Sequence, residues 1–132
     1  MMPLVTPVAV NPLPFRLEVG DAVVSLGSCF ADEMATRMHE GGFRVESNPF
    51  GTLYNPASIA ASLLRCISER EVGKEEVFCD EDGVWHSWMH HSSFSSSDVK
   101  TLTERINSTT HRVADFLREA DVLIVTLAKL LV

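Results

Sequence analysis

The stretch Val23-Val24-Ser25-Leu26-Gly27-Ser28-Cys29-Phe30-Ala31 constrains the fold more than any other part of the chain. Val23 to Leu26 is a short apolar run of the kind found in a strand buried on both faces. Gly27 ends it, because a glycine tolerates a tight strand-to-helix turn and lets backbone or ligand come close. Phe30 to Glu40 reads as a helix, with Phe30, Met34 and Met38 spaced to face a sheet and Gly41-Gly42 as the stop. Phe43 to Glu46 then alternates apolar and polar residues as a second strand. Strand, helix and strand in this order predict a βαβ unit with a parallel sheet. Ser28 and Cys29 then fall at the carboxyl end of a strand and the amino end of a helix. Ligands and nucleophiles of open α/β sheets sit there.

The remaining elements follow from local signals. Met1 to Asp21 is Pro-rich and aperiodic and reads as an extended arm packed on the domain, residues 1–21, ahead of a domain at 22–132. Asn48 to Pro56 is a loop of turn residues, and Asn55-Pro56 is a good N-cap with proline at the first helical position. That helix is predicted to run to about Arg70, with Ile59, Leu63, Leu64 and Ile67 inward. Val77 to Trp88 reads as a hairpin turning at Glu81-Asp82-Gly83. His86 to Ser97 is a loop rich in His and Ser, and Ser97 is read as the cap of a long helix with Leu102, Ile106, Val113, Phe116 and Leu117 as its stripe. Val122 to Leu127 is the second strongly apolar strand.

Composition narrows the function classes. The 132 residues suit one domain with a real core. A net charge of −7 argues against nucleic acid and anionic membranes as partners, since both select clustered Lys and Arg. Three cysteines, Cys29, Cys66 and Cys79, make no disulfide framework and read as free thiols in a reducing cytoplasm. The start lacks the charged region of a signal peptide. No cofactor is implied. The histidines His86, His90 and His91 lack standard zinc spacing, so no metal is expected there.

Read from the residues alone, Cys29 is a small buried residue and Ser28 a helix cap. A nucleophile at this point nevertheless gains from the positive end of the helix dipole and from adjacent N–H groups that stabilise an oxyanion. Gly27-Ser28-Cys29-Phe30-Ala31, together with Asn48-Pro49-Phe50-Gly51 and Tyr54-Asn55-Pro56, resembles the GSCFA family, which is similar to the SGNH (GDSL-like) hydrolases. The resemblance implies a three-layer α/β/α sandwich with a parallel sheet, of the SGNH or flavodoxin-like kind, truncated here after its third core strand. It implies Cys29 as nucleophile by register, with Ser28 the alternative by residue type. It also implies Gly27, Asn48, Gly51 and Asn55 around an oxyanion pocket, with the Gly51 N–H as a donor, and His86, His90 and His91 at the pocket rim.

The motif-level resemblance stops after Leu127, where Gly-Thr is expected and Ala128-Lys129 stands, and the late Asp-x-x-His block that supplies a base is absent. The expected function is therefore a truncated hydrolase or acyltransferase for ester or acyl groups, with carbohydrate esters among the substrates and weak or no activity in this chain. The alternatives are a non-catalytic module binding a glycan or acyl ligand, and a non-functional gene remnant. A long apolar strand edge at Val122–Leu127 leads to an expectation of self-association.

Overall fold

The computed structural model describes residues 4–127. Strands β1 (Ala22–Gly27), β2 (Arg44–Ser47) and β6 (Val122–Thr126) form a parallel sheet in the order β2-β1-β6. Helix α1 (Cys29–Glu40) joins β1 to β2, while α2 (Pro56–Ser68) and α3 (Val99–Glu119) lie between β2 and β6 in the chain. A small antiparallel sheet, β3 (Val77–Cys79), β4 (Trp85–Ser87) and β5 (Ser95–Ser96), is inserted between α2 and α3. The fold is α/β, with the anticipated βαβ start.

The central strand β1 is buried along its whole length, as its composition requires. Alternation then sends its side chains to opposite faces. Val24 and Leu26 pack with Leu53 and Ile59, and with Leu63, Phe116 and Leu117 of the two later helices. Ser25 turns the other way, and its hydroxyl donates to the Ala31 carbonyl of α1 at 3.2 Å. A second apolar cluster, including Phe50, Cys66, Phe94, Leu102 and Ile106, lies beneath the small sheet, and Leu117 touches both clusters. Helix α3 therefore ties the inserted sheet to the parallel one. At its far end Asp121 clamps β1, donating its N–H to the Ala22 carbonyl at 2.8 Å and accepting the Ala22 N–H at 2.9 Å.

Several expectations are corrected. Only the end of the arm packs on the domain, where the Gly20 N–H donates to the Gly42 carbonyl at 3.2 Å and the Asp21 carbonyl accepts the Arg44 N–H at 3.0 Å; residues 4–16 are exposed throughout. Phe30 is 59% exposed, and α1 buries Ala31 and Ala35 instead, because only small side chains fit where the helix lies close over the sheet. Helix α2 buries Ile59, Ser62 and Cys66, leaving Leu64 and Ile67 in solvent. The cap of α3 is Asp98, whose carboxylate accepts the Thr101 N–H at 2.8 Å, not Ser97. Ser95 and Ser96 are a strand rather than loop, paired with His86 and Trp85.

Candidate functional site at the carboxyl ends of β1 and β6

The chain leaves β1 toward β2 on one side of the sheet, while β6 lies on the other. Adjacent strands whose connections diverge in this way open a crevice at their carboxyl ends. Gly27, Ser28 and Thr126 meet there. Thr126 Oγ1 accepts the Ser28 N–H at 3.2 Å and lies 3.4 Å from Ser28 Oγ. Gly27 has φ of +137°, and a Cβ on it would overlap the Thr126 carbonyl and hydroxyl oxygens. Only glycine satisfies both the backbone angle and this approach.

Asn48 fixes the turn from beneath. It is buried, with φ of +37°, a left-handed conformation that Asn tolerates better than most residues. Its Oδ1 accepts the Gly27 N–H at 2.9 Å, and its Nδ2 lies 3.4 Å from the Ser28 carbonyl. The Gly27 carbonyl accepts the Leu53 N–H at 2.9 Å, so the loop after β2 is bound to the end of β1 at both faces of Gly27.

Ser28 is the N-cap residue of α1 by backbone, yet its side chain makes no capping hydrogen bond. Cys29, the first helical residue, is exposed. Both halves of the bland reading, a capping Ser28 and a buried Cys29, are therefore overturned. Among the described residues the hydroxyl of Ser28 has Thr126 as its hydrogen-bond neighbour and no histidine or carboxylate.

Gly51 takes φ of +83° to let His91 lie directly against it, where a Cβ would collide with the His91 side chain. The Gly51 N–H is taken by the Asn48 carbonyl at 2.8 Å, so it is not free to serve as an oxyanion donor as the resemblance implied. Asn55 is exposed and its side chain is occupied as the cap of α2, accepting the Ala57 N–H at 2.8 Å. Its part is therefore structural.

The three histidines separate. His86 pairs with Asp80 across the hairpin at 2.7 Å, and the Val84 N–H and His86 together hold the Asp80 carboxyl below its usual range. His90 is buried in an aromatic nest, 5.0 Å from Phe50 and 5.7 Å from Phe94 between ring centroids, with Nδ1 2.7 Å from Ser87 Oγ. Burial, and secondly the positive Arg65, push it down to about 4 against the pull of Glu76. It is neutral at neutral pH. His91 lies against Gly51 and donates its N–H to the Phe50 carbonyl at 3.1 Å. Its Nδ1 accepts the Ser93 N–H at 3.1 Å, which leaves the proton of the neutral ring on Nε2. In that tautomer Nε2 is a hydrogen-bond donor, and the acceptor nitrogen Nδ1 is already engaged by Ser93.

Thr126 is the residue the sequence reading passed over, although a threonine closing an apolar strand beside the Gly27 strand is a readable signal. The remaining cysteines are apart from the site. Burial pushes the Cys66 thiol up to about 11, with Arg65 opposing, and Cys79 is exposed on the hairpin. Among the described residues no group of three or more His, Cys, Asp or Glu side chains could hold a metal ion. Nor is any helix among them long and apolar enough to cross a membrane.

The family model described as the GSCFA family matches residues 22–131. The chain belongs to the GSCFA family. The match takes in every motif of the site, and it runs on through Ala128 to Leu131, past the Leu127 at which the motif-level resemblance stops. No curated protein and no solved structure matches this GSCFA chain.

Proposed function

We propose that this GSCFA protein is an acyl-transfer or ester-hydrolysing protein of the SGNH type, built on a three-layer sandwich and using Cys29 as its nucleophile. The observation that carries the reading is the exposed Cys29 side chain at the uncapped start of α1, beside the crevice between β1 and β6. Choosing Cys29 over Ser28 follows from the surroundings. A serine hydroxyl needs an adjacent base, whereas a thiol is intrinsically nucleophilic at its small thiolate fraction. Ser28 has only another hydroxyl beside it among the described residues. The layering is supported by Ser25 against α1 on one face and by Val24 and Leu26 against α2 and α3 on the other.

In the proposed reaction the Cys29 thiolate attacks the acyl carbonyl carbon. The carbon–sulfur bond forms, and the carbonyl electron pair becomes an oxyanion facing the N–H groups of Cys29 and Phe30. Collapse breaks the bond to the leaving alkoxide, which takes a proton from water. Water then cleaves the thioester to release the acid and restore the thiol. Carbohydrate esters are within the substrate class, and three free cysteines support a reducing, cytoplasmic setting.

Intact-mass spectrometry after exposure to p-nitrophenyl acetate tests this. One acetyl group on Cys29, released by hydroxylamine, lost in C29A and kept in C79S, is expected. An adduct formed as fast in C29A as in the wild type, or no adduct, refutes it.

A binding role without turnover has one observation in its favour. The Trp88 indole is 75% exposed and stacked on Phe78 at 4.0 Å between ring centroids, a platform suited to a sugar face. Saccharide-induced change in Trp88 fluorescence in a W85F background, without product, supports that reading. An unchanged signal rejects it.

A further inference from the structure

Ser28 has the backbone of a helix cap, with φ of −72° and ψ of 179°, and it has the residue type most suited to capping. A rotation about its Cα–Cβ bond brings Oγ toward the N–H groups of the first turn. The Ala31 N–H already donates to the Ser28 carbonyl at 2.9 Å, so the Phe30 N–H is the group such a cap takes. The hydroxyl is instead turned toward Thr126 Oγ1.

Thr126 is itself held firmly. It lies opposite Gly27 in the β1–β6 register, and its hydroxyl is fixed by the Ser28 N–H at 3.2 Å. The missing Cβ of Gly27 leaves the room that Thr126 Oγ1 occupies. Glycine, threonine and serine thus form one chain of dependence that ends at the start of α1.

We propose that Thr126 is a positioning residue that holds the Ser28 hydroxyl away from the first turn of α1 and so keeps the Phe30 N–H open. Its purpose rests on the acyl-transfer reading, in which that N–H and the Cys29 N–H receive the oxyanion. The placement of the hydroxyl itself is independent of that reading.

Two measurements separate the two. The first is amide hydrogen exchange at Phe30 in wild type, T126V, T126S and the double variant S28A/T126V. In T126V the released hydroxyl caps the helix and slows Phe30 exchange by about tenfold, as a new N–H hydrogen bond protects its donor. T126S and the double variant exchange as wild type does. The second is the rate of Cys29 acylation by p-nitrophenyl acetate. T126V falls by about tenfold or more, since occluding one oxyanion donor costs at least that. T126S keeps the hydroxyl and the rate, and S28A/T126V recovers most of what T126V lost.

Recovery in the double variant is what a merely structural role of Thr126 does not produce. Should T126V not fold, T126A removes the same hydroxyl with less bulk. Unchanged Phe30 exchange in both T126V and T126A overturns the proposal. So does a double variant as slow to acylate as T126V. Absent acylation in wild type, with the exchange pattern intact, overturns only the acyl-transfer reading.

Discussion

Gly27 donates its N–H to Asn48, accepts from Leu53 through its carbonyl, and lies where a methyl group would overlap Thr126. G27A therefore forces strain at φ of +137° and displaces β6 together. A loss of at least about 3 kcal/mol in denaturant unfolding is expected, at the upper end for a single methyl group. A second residue reports on pH. His90 titrates near 6.5 when unfolded and at about 4 when folded, so the unfolded chain binds more protons between those values. Stability is full above about pH 6.5 and falls toward pH 4, by on the order of 2–3 kcal/mol. Asp80 and Glu76, whose carboxyls are held low, add their losses as pH falls through the unfolded carboxylate range, at the acid end of that window. H90N keeps a polar atom for Ser87 and should flatten the change between pH 5 and 7 in urea midpoints. An unchanged slope contradicts the assignment.

At the scale of elements, the strand and helix sequence was legible, β5 apart, because periodicity and breakers carry it. The βαβ start, the Asn55-Pro56 cap and the hairpin turn were all written in local signals. The apolar stripe of α3 was legible too, with Leu102, Ile106 and Val113 buried, but the faces of α1 and α2 were not. In α2 two of the four large apolar residues, Leu64 and Ile67, are exposed, and the buried face runs from Ile59 through Ser62 and Cys66. Across the contact, α3 buries Thr110 and Ala114. Small side chains let the two helices approach, and apolarity alone does not reveal that choice. L64Q and I67Q should each change stability by less than about 0.5 kcal/mol, whereas L102A should cost about 2–5 kcal/mol by opening a cavity. Thermal or denaturant unfolding of the three variants checks this. At the site, the motif residues Gly27, Ser28, Cys29 and Asn48 were legible. The use of the Gly51 and Asn55 polar groups was not, because a hydrogen bond to a neighbouring carbonyl or a cap leaves no mark in residue type.

At the scale of the molecule, β6 pairs with β1 alone among the described residues. Leu123, Val125 and Leu127 along it are partly exposed. An unpaired apolar strand is a template for another chain. We expect concentration-dependent association in sedimentation velocity that V125K, placing charge on that strand, reduces. A monomer at all concentrations removes the idea.

In the proposed reaction the start of α1 stabilises an acyl oxyanion on Cys29, and the protein carries its own control in the exposed Cys79. The most direct measurement is the Cys29-to-Cys79 rate ratio, site by site in mass spectrometry, for two reagents. Acylation by p-nitrophenyl acetate passes through an oxyanion, and alkylation by iodoacetamide does not. The ratio is expected to be about tenfold or more larger for acylation than for alkylation. Equal ratios for the two reagents would mean that Cys29 is only an accessible thiol.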